Sequence, residues 1–268
     1  MNQTSYVDQT LSSQTEPGTR RRRRRSRRRS GLASRIVSTV WPAERSLTVR
    51  AASWLAIILL ISLSFFAARY GLAHLEVLRV ENQLRYWQKL GKVPSPASLN
   101  TTLAAIERAN GLHPDNPYQL TLQARILEWR AYNNGQVIEQ DYRQALALYK
   151  EATTLRPIWP ESWAEMAQVK VRLNEFDAEL DQILTKADQL GPYTPAVHLV
   201  VAQSNFPRIA RLRPEQLSLL QTHTVRGVQD HRSRKQVIAL VERYGAEAQA
   251  CEWWSVANLN ITVNTCPE

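Results

Sequence analysis

The chain has 268 residues, with 34 Lys and Arg against 24 Asp and Glu, a net charge of +10, and only two cysteines. That length suits one or two ordinary domains, and an apolar share of 44% can fill a core. Two cysteines rule out a disulfide-dense mini-domain and a four-cysteine zinc site. The basic excess is local. Residues 1–50 hold twelve Arg and three acids, whereas residues 69–268 hold 22 basic against 21 acidic side chains. A nucleic-acid partner is therefore not expected, because it would need clustered basic charge on the folded part.

Residues 1–50 are rich in Gln, Ser, Thr and Arg, with arginine at 20–25 and again at 27–29. Such a block repels itself and buries nothing, so it is expected to be a disordered tail. RNA binding, a targeting address and attraction to anionic lipid headgroups are its functional readings. The simpler reading is a topology signal beside a membrane helix, and the next segment favours it.

Residues 51–68 run AASWLAIILLISLSFFAA without a charge. At 1.5 Å per residue they span about 27 Å, close to the roughly 30 Å hydrocarbon core of a bilayer. Trp54 lies near one end, and Phe65, Phe66 and Tyr70 near the other, as an aromatic belt would place them. A cleaved signal peptide would have a shorter apolar region and a small-residue site close behind it. Ala67-Ala68-Arg69 fits that poorly, and helical register continues through Leu72, Leu75, Leu78, Leu84 and Trp87. The arginine run lies too far upstream for a twin-arginine signal. One uncleaved transmembrane helix is expected. The excess of Arg before it puts the N-terminus in the cytoplasm and residues 69–268 across the membrane. In a bacterium that is a single-pass inner-membrane protein with a periplasmic domain.

From residue 69 onward the apolar periodicity is helical. Gly91 to Pro96 break a juxtamembrane helix, which gives a segment of 69–96. A repeat then appears. Tyr142, Ala145, Tyr149, Ala152 and Pro157 fall at positions 17, 20, 24, 27 and 32 of the tetratricopeptide pattern, whose period is about 34 residues. Pro160 opens the next unit, with Trp163, Met166, Ala167 and Phe176 in register. Small residues at 8, 20 and 27 let two antiparallel helices approach; proline at 32 ends the second. The unit before starts at Pro117, with Leu120, Ala124 and Leu127 in place, and an inserted loop is expected from Asn133 to Gln140. Leu99, Ile106, Ala109 and Pro114 match a lone second helix. The unit from Pro160 departs at Glu179 and at Ala187, one residue late. Repeats are thus expected over 97–192. A helical cap over 193–268 follows, with helices near 194–204, 214–229 and 231–244. The fold class is all-α: one transmembrane helix followed by an α-solenoid of tetratricopeptide-like helix pairs.

Catalytic signatures are missing. The five His residues, at 74, 113, 198, 223 and 231, look isolated, and no H-E-x-x-H, G-x-S-x-G, P-loop or G-x-G-x-x-G is present. No enzymatic activity, metal or cofactor is expected. Cys251 and Cys266 bracket a 16-residue segment within the last 18 residues. In an oxidising compartment they would pair and stabilise the fold by about 3 kcal/mol; two free thiols are the alternative. Asn2, Asn100 and Asn260 stand in glycosylation sequons, which short chance matches often produce.

The anchor, the stretch LEVLRVENQLRYWQKLGKVPS, the EWRA at Glu128–Ala131, the run YRQALALYKEATTLRPIWPESWAEMAQVKVRLNEFDAEL at 142–180, and LGPYTPAV at 190–197 carry a resemblance. The chain resembles the VpsP-type membrane-anchored tetratricopeptide proteins of bacterial exopolysaccharide biosynthesis, loosely over 51–250 and well over 117–200. The Arg-rich tail is outside that resemblance. It implies an anchored scaffold for polysaccharide synthesis or export, with other assembly proteins as partners. A glycan-binding protein or polysaccharide-modifying enzyme on the same frame is the alternative.

Tetratricopeptide pairs bind partners on the concave face of each first helix, at positions 2, 5, 9, 12 and 13. Here these are Tyr118, Thr121, Arg125, Glu128 and Trp129, then Glu161, Ala164, Gln168, Val171 and Arg172. Tyr118, Arg125, Glu128, Trp129, Gln168 and Arg172 are the candidate partner-binding groove. Arg125 and Arg172 are expected to be wet and free to fork onto a partner carboxylate or an acidic sugar.

Overall fold

A computed structural model describes residues 46–133, 138–259 and 261. The arginine run and Cys266 lie outside the described residues. The described residues fall into two units, the first ending at Ile61 and the second beginning at Ser62. Every regular element among the described residues is helical.

Helix α1 (Leu47–Leu90) is 44 residues long, and one window of it is apolar enough to cross a membrane, with none of that window buried. The first unit's described residues are the start of this helix, with Leu55, Ile58 and Leu59 exposed. In the second unit the helix becomes amphipathic. Ala73, Val77, Val80, Leu84 and Trp87 recur at spacings of three and four and are buried. Gly91, at φ +69°, ends α1 in a left-handed conformation that suits glycine.

Helix α2 (Pro96–Leu112) starts on Ser95, whose hydroxyl accepts from the Ser98 N–H at 3.2 Å, with proline at the first position. Its Ala105, Ile106 and Ala109 pack with Val77, Val80 and Trp87 of α1 and with Leu122 and Ile126 of α3 (Pro117–Asn133). The Asn116 side chain accepts from the Tyr118 N–H at 3.0 Å to start α3. Helix α4 (Ile138–Leu155) returns along α3. Ala124, Ala131, Ala145 and Ala152 are fully buried, so the absence of bulk permits a close approach.

Helix α5 (Pro160–Arg172) and α6 (Ala178–Leu190) form the next hairpin. Buried Lys170 closes it: its ammonium donates to Glu175, Asp177 and Glu179 at 3.0, 3.0 and 2.6 Å. Glu179 stands where the repeat calls for a small residue. It is half-exposed and also pairs with Lys150 at 2.7 Å, so charge replaces close packing there.

Helix α7 (Pro195–Asn205), a 3-10 turn (Phe206–Arg211), α8 (Pro214–Gln229), α9 (Arg234–Arg243) and α10 (Glu247–Val256) complete the chain. They enclose a second core with Phe206, Leu220, Val228, Val237, Trp253 and Trp254.

Three expectations need correction. The inserted loop is shorter than Asn133 to Gln140, because α4 already begins at Ile138. The helix expected from 231 begins at Arg234, because Asp230 holds the Arg232 N–H at 2.9 Å and the buried Ser233 hydroxyl donates to the Gly227 carbonyl at 2.8 Å. Helix α10 was not foreseen. It buries Trp253 and Trp254 in the second core.

Neighbouring helices run in alternating directions. Arg69 donates to the Gly111 carbonyl and Arg108 pairs with Glu76, so the end of α2 lies beside the part of α1 that follows the apolar segment. Asn133 meets Val93 and Arg130 meets Asp141 at the other end.

Candidate functional site

A groove of about 700 Å³ opens among α1, α3, α4 and α5 in the second unit. Helical spacing builds its walls. On α3, Tyr118, Leu122, Arg125, Trp129 and Tyr132 recur every three or four residues, with Glu128 beside them. On α5 the same spacing brings Glu165, Gln168 and Arg172 to one side. Helix α1 closes the groove with Glu81, Leu84, Arg85 and Gln88, and Tyr149 of α4 forms part of its lining.

All six candidate groove residues line this cavity. Thr121 and Ala164 do not; both are buried, and the Thr121 hydroxyl donates to the Tyr118 carbonyl at 2.7 Å. Exposed Glu161 and half-buried Val171 also lie outside its lining. Repeat counting missed Glu165, Tyr132 and the whole α1 wall. Glu165 had a signal, since it precedes Gln168 by three and Arg172 by seven residues on one helix face.

Arg172 is exposed and Arg125 partly so, as expected of wet side chains, but both are already paired. Arg125 donates to Glu165 through Nε at 2.9 Å and through a second, shorter contact. Arg172 pairs with Glu128 at 2.7 Å, and the Tyr149 hydroxyl donates to the same carboxylate at 2.6 Å. Tyr118 donates to Glu81 at 2.6 Å. Burial pushes the Glu165 carboxyl up to about 7, against the pull of Arg125. Burial likewise raises Glu128, although Arg172 and Tyr149 favour its charged form. The Tyr118 phenol is pushed up to about 12 by burial and by its bond to Glu81.

The groove therefore meets a ligand with its acids and arginines largely turned on one another. What it offers outward is aromatic and amide chemistry. Trp129 stands edge-on to Trp87 and to Tyr132, with ring centres 6.2 and 5.7 Å apart, and Tyr132 is 66% exposed. Gln88 and Gln168 add amides to the lining. Such a surface is suited to binding. Among the described residues no group of three His, Cys, Asp or Glu is placed to hold a metal.

A second polar cluster lies in the second core. His198 and His223, which look isolated in sequence, meet Nδ1 to Nδ1 at 2.8 Å, and His223 Nε2 reaches Asp188 at 3.0 Å. Both rings are buried. The Asp188 carboxylate can only accept, so His223 donates through its Nε2–H; its Nδ1 then accepts and His198 Nδ1 donates. Of the candidate disulfide, Cys251 lies half-buried on α10 against the second core, while Cys266 is outside the described residues.

Compared with known proteins, the chain matches no family model and no curated protein.

Proposed function

We propose that this chain is a single-pass, membrane-anchored helical-repeat scaffold whose groove holds a segment of a partner protein. The observation that carries the reading is the convergence of Tyr118, Arg125, Glu128, Trp129, Gln168 and Arg172 on one cavity. A tetratricopeptide register predicts those positions from spacing alone. Burial of Ala124, Ala145, Ala152 and Ala167 at its small-residue positions supports the same register. An exposed aromatic beside fixed charges is the composition of a protein-binding hot spot.

The setting comes from the sequence. The basic excess before residue 51 supports a cytoplasmic N-terminus and an outer helical domain, on the periplasmic side of a bacterial inner membrane. The VpsP-type resemblance supports a place in exopolysaccharide synthesis or export, with assembly proteins as partners. The arginine tail would attract anionic headgroups.

A second reading has one observation behind it. With Arg125 and Arg172 already paired, the groove's open chemistry of aromatic faces and amides also suits an uncharged sugar. A photo-crosslinking residue in place of Gln168 separates the two. The scaffold reading expects adducts with a polysaccharide-assembly protein in cells, lost when Tyr132→Ala is added, and no affinity of the purified protein for polymer. Direct binding of polymer by the purified protein, with no protein adduct, would overturn the scaffold reading in favour of the glycan one.

A further inference from the structure

We infer that one end of the helical domain is itself a membrane-contact surface, a set of interhelix turns that rests on the lipid headgroups next to the anchor. The inference rests on the reading that residues 51–68 cross a bilayer. If they do, Arg69 and Tyr70 sit at the membrane boundary, because they follow the apolar segment directly. The turn between α2 and α3 is fixed to that boundary. Arg69 donates to the Gly111 carbonyl at 3.3 Å, and the Tyr70 and His113 rings lie 4.6 Å apart.

Alternating helix direction carries two more turns to the same end. They are residues 156–159 between α4 and α5, and 191–194 between α6 and α7. Side chains tie the three turns into one row. Tyr118, just after the first, lies 6.3 Å from the Trp159 ring of the second. Gly191 of the third approaches Pro160 so closely that an added Cβ would lie 2.5 Å from the proline ring.

This row is apolar where a soluble turn would be polar. Outside α1, six large hydrophobic side chains are exposed among the described residues, and three of them are here: Leu155 (45%), Ile158 (71%) and Tyr193 (69%). Two of its aromatics, Trp159 and Tyr193, have an arginine over them. Arg156 is 3.7 Å from the Trp159 ring centre, and Arg226 is 4.8 Å from that of Tyr193. Apolar and aromatic tips beside guanidiniums suit the boundary between headgroups and acyl chains. Exposed Asp115 and Glu161 at the same end offset the arginines, so shallow insertion, not net charge, would hold the surface.

The test uses the full chain in vesicles of phosphatidylcholine with or without phosphatidylglycerol. Benzoylphenylalanine is placed singly at Ile158 and Tyr193, at Phe65 inside the apolar segment, and at exposed Gln182 toward the opposite end. Lipid adducts are read by mass spectrometry. The expected result is adducts at 158 and 193 several-fold above those at 182, in both lipid mixtures. Adducts at 65 with none above the 182 level at 158 and 193 would overturn the contact and leave the anchor standing. No adduct at 65 would overturn the anchor, and the contact with it. Adducts of 158 with a second copy of the chain, and none with lipid, would overturn it in favour of self-association. Adducts only in the phosphatidylglycerol vesicles would overturn insertion as the cause.

Discussion

Half-buried Glu165 and buried His198 are both titratable groups with shifted values, yet acid should move them in opposite directions. Glu165 has its folded value raised to about 7 from an ordinary 4.5. Its contribution to stability is thus complete below about pH 4.5 and is lost as pH rises through 7. His198 is lowered from 6.5 to about 4, first by burial and then by the neighbouring His223. Its contribution is complete above about pH 6.5 and is lost as pH falls toward 4. The two slopes offset one another in the wild type, so single variants reveal them. Arg125→Ala leaves Glu165 without its cation and should cost about 1–3 kcal/mol. Melting temperatures should record a larger loss at pH 8 than at pH 5, where Glu165 escapes by protonation. His198→Asn keeps a hydrogen-bond donor but does not titrate. Between pH 6.5 and 4.5 it should lose about 2 kcal/mol less stability than the wild type. Equal acid slopes for the two proteins would contradict the neutral, buried pair. Neither site was legible in the sequence as a pair. Arg125 and Glu165 are 40 residues apart and His198 and His223 are 25 apart, and helical periodicity places a residue on a face without naming what faces it.

At the scale of the helices, the sequence was most informative where spacing and proline agree. The α4–α5 junction has Tyr142, Ala145, Tyr149 and Ala152 on a buried stripe, then Pro157 and Pro160 around the turn, and each of those four is buried. Ala152→Leu should overpack the contact and cost about 1–3 kcal/mol, whereas Gln144→Leu, at an exposed site on the same helix, should cost little. Thermal unfolding of the two variants checks the register, and equal shifts would place Ala152 away from a helix contact. Gly191 makes a matching case at the next turn. A methyl group there would meet both Pro160 and Thr194 at 2.5 Å, so Gly191→Ala should unfold at a lower temperature although its φ of −146° is open to any residue. Helix α10 escaped notice for a physical reason. Its ten residues bury adjacent Trp253 and Trp254 together, so it lacks the amphipathic stripe that betrays a longer helix. The α1 wall of the groove escaped too. Glu81, Leu84 and Gln88 read as the tail of an anchor helix, and only the fold of α3 and α5 gives them a role.

For the molecule as a whole, charge decides more than packing does. The described residues include one helix long and apolar enough to cross a membrane, but its direction depends on the charged side chains that flank the apolar segment 51–68. Twelve Arg lie in residues 1–50, whereas the flank at 69–92 has Arg69, Arg79, Arg85, Lys89 and Lys92. Of those five, Arg79 and Arg85 are already paired with Glu76 and Glu81 one turn back, which reduces the basic charge on that side further. A transmembrane potential negative on the cytoplasmic side should keep the larger cluster there. Alkaline phosphatase fused after Glu268 should therefore be active, and a reporter that works only in the cytoplasm should be silent there. Replacing the arginines at 20–25 and 27–29 with glutamine should produce a mixed population, because Arg35, Arg45 and Arg50 remain to oppose the outer flank. The same topology governs the two cysteines. In an oxidising compartment Cys251 and Cys266 should resist alkylation until the protein is reduced, and both should label at once in any molecules that insert the other way round. A fully active cytoplasmic reporter, with both thiols labelled without reductant, would reverse the orientation. It would also move the groove and the row of turns at Ile158 and Tyr193 to the inner face of the membrane.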